Sequence, residues 1–222
     1  METLHPMRGA ITGVVLVLAL AGCSGGSGSG QAGSESGKGG GGGGGAASAP
    51  FNPSQVAMAI PSKLAAPKGW LAQEPRVLDG SAAQQQCQTQ GQWACAGLTT
   101  QATTRHSDKN TNGDKDVDVQ FTLLAYDSVE NAKAGMKAAV AENRKGANSK
   151  PKPLTIDTAA DEIDAFTEED QGSTYQTAEL RVGSVVAVMF GENLPKDHEL
   201  SSFVKMQVDR ITTAATGNNP DA

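Results

Sequence analysis

The stretch VDVQFTLLAYDSVENAKAGMKAAVAENRKG, residues Val117–Gly146, decides the class of fold. In its first half Val117, Val119, Phe121 and Leu123 alternate with Asp118, Gln120 and Thr122. A period of two puts the two sets on opposite sides of a pleated ribbon, which predicts a half-buried β-strand. In the second half the period changes. Val129, Ala132, Met136, Ala139 and Val140 recur at helical spacing, with Lys133, Lys137, Glu142 and Arg144 mostly off their stripe, which predicts a helix over 128–145. Asp127-Ser128-Val129-Glu130 offers an N-cap with an acid three residues on, a capping-box pattern, and Gly146 a stop. A strand feeding an amphipathic helix calls for a sheet with a helix packed on it.

Working outward, Leu98–His106 is the expected partner of the 117–123 strand, and Asn112-Gly113 in the connection is a strong hairpin signal. Downstream, Tyr175–Val182 and Val185–Phe190 flank Gly183-Ser184 as a second hairpin. Ala178, Leu180 and Val182 point one way, with Glu179 and Arg181 opposite. Val185–Phe190 is nearly all apolar, as a central strand covered on both faces would be. Ile163–Thr167 adds a shorter strand. A helix over 198–214, capped by Asp197, carries the stripe Leu200, Phe203, Val204, Val208 and Ile211, and a weaker helix lies near Pro53–Leu64. The expected fold is α+β: an antiparallel β-sheet built from hairpins with two main α-helices packed on it, an α/β sandwich.

The chain before Phe51 is of another kind. All nine aromatic residues lie at or beyond Phe51. Ile11–Ala21 is an apolar run broken only by Thr12 and Gly13, too short for a hydrocarbon core of roughly 30 Å and the right length for a signal-peptide core. Arg8 supplies the positive flank; Glu2 is unusual there, and Met7 makes a cleaner start than Met1. The run ends Leu20-Ala21-Gly22-Cys23, which resembles a bacterial lipobox. That resemblance implies cleavage between Gly22 and Cys23 and transfer of diacylglycerol to the Cys23 thiol. Residues 1–22 are then a lipoprotein signal peptide, and 23–50 a lipidated cysteine with a flexible linker. Ser24–Pro50 is almost wholly Gly, Ser and Ala and cannot bury enough apolar surface to fold; as a coil its reach is about 30 Å. Two motifs in it are accidents of composition. Gly28-x-Gly30-x-x-Gly33 has no strand before it and no helix after it. Gly22-x-Ser24-x-Gly26 straddles the cleavage site. Residues 51–217 remain as a single globular domain, with 218–222 a disordered tail.

A wider resemblance rests on Trp93-Ala94-Cys95-Ala96-Gly97, on Leu123-Leu124-Ala125-Tyr126-Asp127-Ser128, on Glu179-Leu180-Arg181-Val182-Gly183 and on the exported layout. Residues 65–213 are similar to actinobacterial secreted lipoproteins, to the extracellular sensor domains of actinobacterial serine/threonine kinases, and to Mog1/PsbP-like α/β lipoproteins. The chain departs from the kinase sensors in having one cysteine pair where those usually have two, and in lacking a kinase segment. The resemblance implies a fold class and an envelope location, on the outer face of the cell membrane, and transfers no active-site residue.

Candidate chemistry is sparse. Cys87 and Cys95, eight apart in an exported domain, are expected to form a disulfide that staples the loop leading into the first strand. Asp108-x-Asn110-x-Asn112-Gly113-Asp114-x-Asp116 matches the first part of a calcium loop, but Val119 stands where the bidentate Glu belongs; a solvated turn rich in Asn and Asp is the favoured reading. Asp161, Glu162, Asp164, Glu168, Glu169 and Asp170 form an acidic run that reads as a solvated rim, or as a docking edge for a basic partner. His106 and His198 have no partner at motif spacing and read as surface residues. A net charge of -6 argues against nucleic acid. The expected function is a lipid-anchored domain that binds or senses a small ligand or an envelope partner, with no cofactor and no catalysis; the alternative is an accessory or assembly protein of the envelope.

Overall fold

The computed structural model describes residues 50–91, 94–109, 116–147 and 149–222. Gly22, Cys23 and the linker lie outside the described residues, as do Trp93, Asn110, Asn112 and Asp114.

The elements follow in order as α1 (Pro53–Ala59), β1 (Trp70–Ala72), β2 (Arg76–Asp79), α2 (Gly80–Gln90), β3 (Leu98–Asp108), β4 (Asp118–Tyr126), α3 (Val129–Gly146), β5 (Lys152–Pro153), β6 (Glu162–Asp170), β7 (Ser173–Val182), β8 (Val185–Glu192) and α4 (Leu200–Ala215). The strands form one antiparallel sheet in the order β1-β3-β4-β8-β7-β6-β5, with β2 also paired to β3. The α+β expectation holds. The two expected hairpins are β3–β4 and β7–β8, and β8 lies in mid-sheet between β4 and β7. Gly183, with φ of 58°, makes the two-residue turn between β7 and β8.

The helices are split between the two faces. On one face α1 and α4 cover Val119, Phe121, Leu123, Ala178, Leu180, Ala187 and Met189 in the main core. On the other, α2 and α3 cover Leu124, Tyr126, Val186 and Val188 in a smaller core. The period of two in β4 therefore separates two cores, where a half-buried strand was expected. Gly135 lets α3 lie close to the sheet, because a Cβ there would collide with the Tyr126 hydroxyl.

Several local expectations are corrected. The cap of α3 is Ser128, which accepts from the Asn131 N–H; Asp127 accepts from the Asn131 side chain, and Glu130 closes no capping box. A capping box does open α1, between Asn52 and Gln55. Asp197 does not cap α4: it sits in a 3-10 turn, Lys196–His198, and α4 begins after Glu199. α2 is a helix that the sequence hides, since its glutamine-rich run has no apolar stripe beyond Ala83 and Cys87. Cys87 is on that helix, so the Cys87–Cys95 disulfide ties α2 to the lead-in of β3 and does not close a plain loop.

Residues 218–222 are docked, where a disordered tail was expected. Arg210 is buried on α4 and donates to the carbonyls of Met58, Ala59 and Ile60 at the end of α1. It also pairs with Asp221 at 2.6 Å. A buried guanidinium needs an acid partner, and the tail supplies it.

A cleft at the end of helix α3

The second face of the sheet changes character along its strands. Cross-strand rows define it. Gln101, Leu124, Val186, Arg181 and Glu162 lie side by side, and next to them Thr103, Thr122, Val188, Glu179 and Asp164. The third row is Arg105, Gln120, Phe190, Thr177 and Phe166, and the fourth carries Asp118, Glu192, Tyr175 and Glu168. The first two rows hold Leu124, Val186 and Val188 at their centre; the last two are mostly polar. At about 1.5 Å per residue α3 spans roughly 27 Å. Its buried positions, Ala132, Gly135, Met136 and Ala139, cover the apolar end, and it stops at Gly146.

Where α3 stops, a cleft of about 510 Å³ opens. Its floor is β4, β7 and β8; Glu142, Asn143 and Gly146 of α3 form one wall, and Arg105 of β3 stands at the other side. Phe190 is 36% exposed in the floor, while Val185–Met189 before it on the same strand are buried. Arg105 is ion-paired with Asp118. Glu179, wholly buried, accepts from the Asn143 side chain at 2.7 Å through Oε1, and Oε2 has no hydrogen-bond partner. Burial pushes its carboxyl up to about 7; the Asn143 bond opposes this in part, and Asp164 nearby adds to it.

The acidic run falls on β6 and is largely neutralised. Arg181, itself buried, holds Asp161 at 2.9 Å and Glu162 at 2.8 Å. Arg144 forks onto Asp164 and lies over the Phe166 ring. Glu168 accepts from the Ser149 N–H, and Lys152 approaches Glu169 at 3.4 Å. A rim of mutually repelling carboxylates is thus replaced by a set of ion pairs, because β7 and α3 bring arginines to it.

His106 is not a surface residue. It is fully buried beneath Pro61 and packs on Phe121 with ring centroids 5.3 Å apart. Burial drives its imidazole down to about 4, with the Pro61 carbonyl resisting and Arg210 assisting. His198 is partly exposed beside Trp70. Asp108 ends β3, and its backbone N–H reaches the Val117 carbonyl; Asp116 is exposed before β4, and Asn110, Asn112 and Asp114 are outside the described residues. Among the described residues no three His, Cys, Asp or Glu side chains are grouped as a metal site requires.

Arg105, Gln120, Asn143, Tyr175, Glu179 and Phe190 carry no catalytic or binding motif, and the sequence gives none of them a role in a site. The usable signal is the absence of apolar residues on the second face of β4 before Leu124, at Asp118, Gln120 and Thr122, which shows only when both faces are known to be covered.

No protein-family model and no curated protein matches the chain. Among solved structures it is similar to the extracellular domain of PknH from Mycobacterium tuberculosis, with a TM-score of 0.52 and 13% identity, over 75% of this chain and 99% of that one. The likeness is one of fold, and it agrees with the sensor-domain fold that the sequence resemblance implied. No described helix is long and apolar enough to cross a membrane.

Proposed function

We propose that this chain is a membrane-anchored bacterial lipoprotein, lipidated on Cys23, whose extracytoplasmic domain binds a ligand in the cleft at the end of α3 without transforming it. Phe190 carries the binding reading. It is an aromatic side chain left 36% exposed near the end of a strand whose first five residues, Val185–Met189, are buried. Burying a phenylalanine contributes about 1.5–3 kcal/mol, so an open floor of this kind forgoes stability that a bound molecule can recover.

The chain enters the domain at Phe51, in the core covered by α1 and α4. The cleft opens on the opposite face of the sheet. Both described histidines lie outside the cleft, which leaves it without an imidazole base. The anchor reading rests on Leu20-Ala21-Gly22-Cys23 and the linker behind it. The accessory-protein reading would call for a filled second face, and the cleft weighs against it.

Two measurements test this function. Radiolabelled palmitate enters the natural protein but not the Cys23→Ala variant; equal membrane partitioning of both removes the anchor. A photoreactive residue replacing Gln120 in the cleft captures a compound or partner in intact cells that the same group at Lys205, exposed on α4, does not. Equal capture at the two positions removes the cleft as the binding site.

A further inference from the structure

The charge of the cleft lining is one-sided. Among the described residues Asp118, Glu142, Glu168 and Glu192 line the cleft with one cation, Arg105. Asp118 already holds that guanidinium, and Asp116 and Glu192 also draw on it. Lys145 reaches Glu142 only at 3.7 Å, from a mostly solvated position. Glu192 is paired across the sheet with Tyr175, and Phe190 lies two residues before it on the same face.

A second feature lies behind the cleft wall, bonded to the lining residue Asn143. Glu179 is one position beyond Thr177 on the same face, wholly buried, bonded to the lining residue Asn143, and with one carboxyl oxygen unpartnered. An acceptor without a donor in such a place is costly unless something supplies the hydrogen.

We propose that the cleft binds an organic cation, an ammonium group carried on a compact apolar body, with the cation over the Phe190 ring and beside the Glu192 carboxylate, its neighbour on the same face of β8. This rests on the cleft-binding function above and adds the chemistry of the ligand. An aromatic face attracts a cation through its quadrupole, most strongly where water is excluded. Charged acceptors beside it add charge-assisted hydrogen bonds from an N–H-bearing ammonium. An anion would meet uncompensated carboxylates, and a neutral polar molecule would leave them unmatched. The volume of about 510 Å³ is that of a small-molecule site.

The test uses the full lipidated chain in a non-ionic detergent, titrated calorimetrically with benzylammonium, benzyl alcohol and benzenesulfonate. The cation binds one to one, and tighter than the alcohol by roughly tenfold. Phe190→Leu and Glu192→Gln each weaken it by roughly tenfold, Lys205→Ala leaves it unchanged, and added salt weakens it. Melting curves of the variants confirm that they are folded. Sulfonate affinity equal to that of the cation, cation affinity indifferent to both cleft substitutions, or no cation binding at millimolar concentration each overturns the proposal. Alcohol or sulfonate binding that equals or exceeds the cation's and is lost in Phe190→Leu would overturn the cation while keeping the cleft; the crosslinking comparison is what removes the cleft itself.

Discussion

The two faces of one sheet have opposite fates. The face under α1 and α4 is covered along most of its length: Phe121, Leu180, Met189, Leu200 and Ile211 are buried there, as is its histidine. The face under α2 and α3 is sealed over half its length, and the other half carries Arg105, Gln120, Tyr175, Glu192 and the exposed Phe190. The same strands supply both. The difference lies in which alternate residues each strand sends to which side, and in where α3 ends. A strand with two covered faces can spend one on stability and part of the other on a binding surface.

The sharpest way to break this contrast is a matched pair of aromatic truncations. Phe121→Ala, on the sealed face, should cost about 3–5 kcal/mol in urea unfolding, whereas Phe190→Ala should cost less than about 1 kcal/mol. Equal losses would mean that the second face is packed as tightly as the first.

Two buried titratable groups, one on each face, sharpen it further. His106 is held at about 4 against an ordinary 6.5, so the stability it contributes is present above 6.5 and lost as pH falls towards 4. Glu179 is held at about 7 against 4.5, so its contribution is present below 4.5 and lost as pH rises through 7. Between 4.5 and 6.5 the two slopes oppose each other, and the natural protein should show little net dependence from them. Glu179→Gln should unmask a stability that rises with pH in that range. At pH 8 it should gain up to about 3 kcal/mol over the natural protein, by guanidinium unfolding across a pH series. An unchanged pH profile would show that Glu179 is not buried as described.

The disulfide belongs to the second face, tying α2 beside the cleft. Replacing Cys87 and Cys95 together by Ser should lower stability by about 2–3 kcal/mol, read from thermal unfolding, with the α1–α4 face retaining its amide-exchange protection longest. The smallest effect is at the sheet edge. Lys152 and Glu169 are 70% and 71% exposed, and Lys152→Ala should change stability by less than about 0.5 kcal/mol in the same assay.

The periodic elements were legible in the sequence because burial imposes a period that needs only neighbours along the chain. Val119–Phe121–Leu123, the α3 stripe and the α4 stripe all carry it, and so does the unbroken run of β8. α2 was not legible: its Gln-rich surface gives no stripe, and Cys87 enters the core through one contact with another segment. Glu179 and Arg181 were placed on the correct face, opposite Leu180, but as solvated charges. α3 covers them, and a helix packed from another part of the chain leaves no mark on the local pattern.

By itself the sequence determined the class of fold, the order of its main periodic elements and the compositional contrast between a Gly/Ser-rich stretch and a domain with a core. Hydrophobic periodicity and composition are local quantities, and they suffice for these. Only the tertiary structure decided that helices lie on both faces, that the acidic run meets its arginines, that the last residues close over Arg210, and that a cleft floored by Phe190 remains. Each depends on which surfaces meet across long stretches of chain, and burial of a charge or exposure of an aromatic exists only once those surfaces have met.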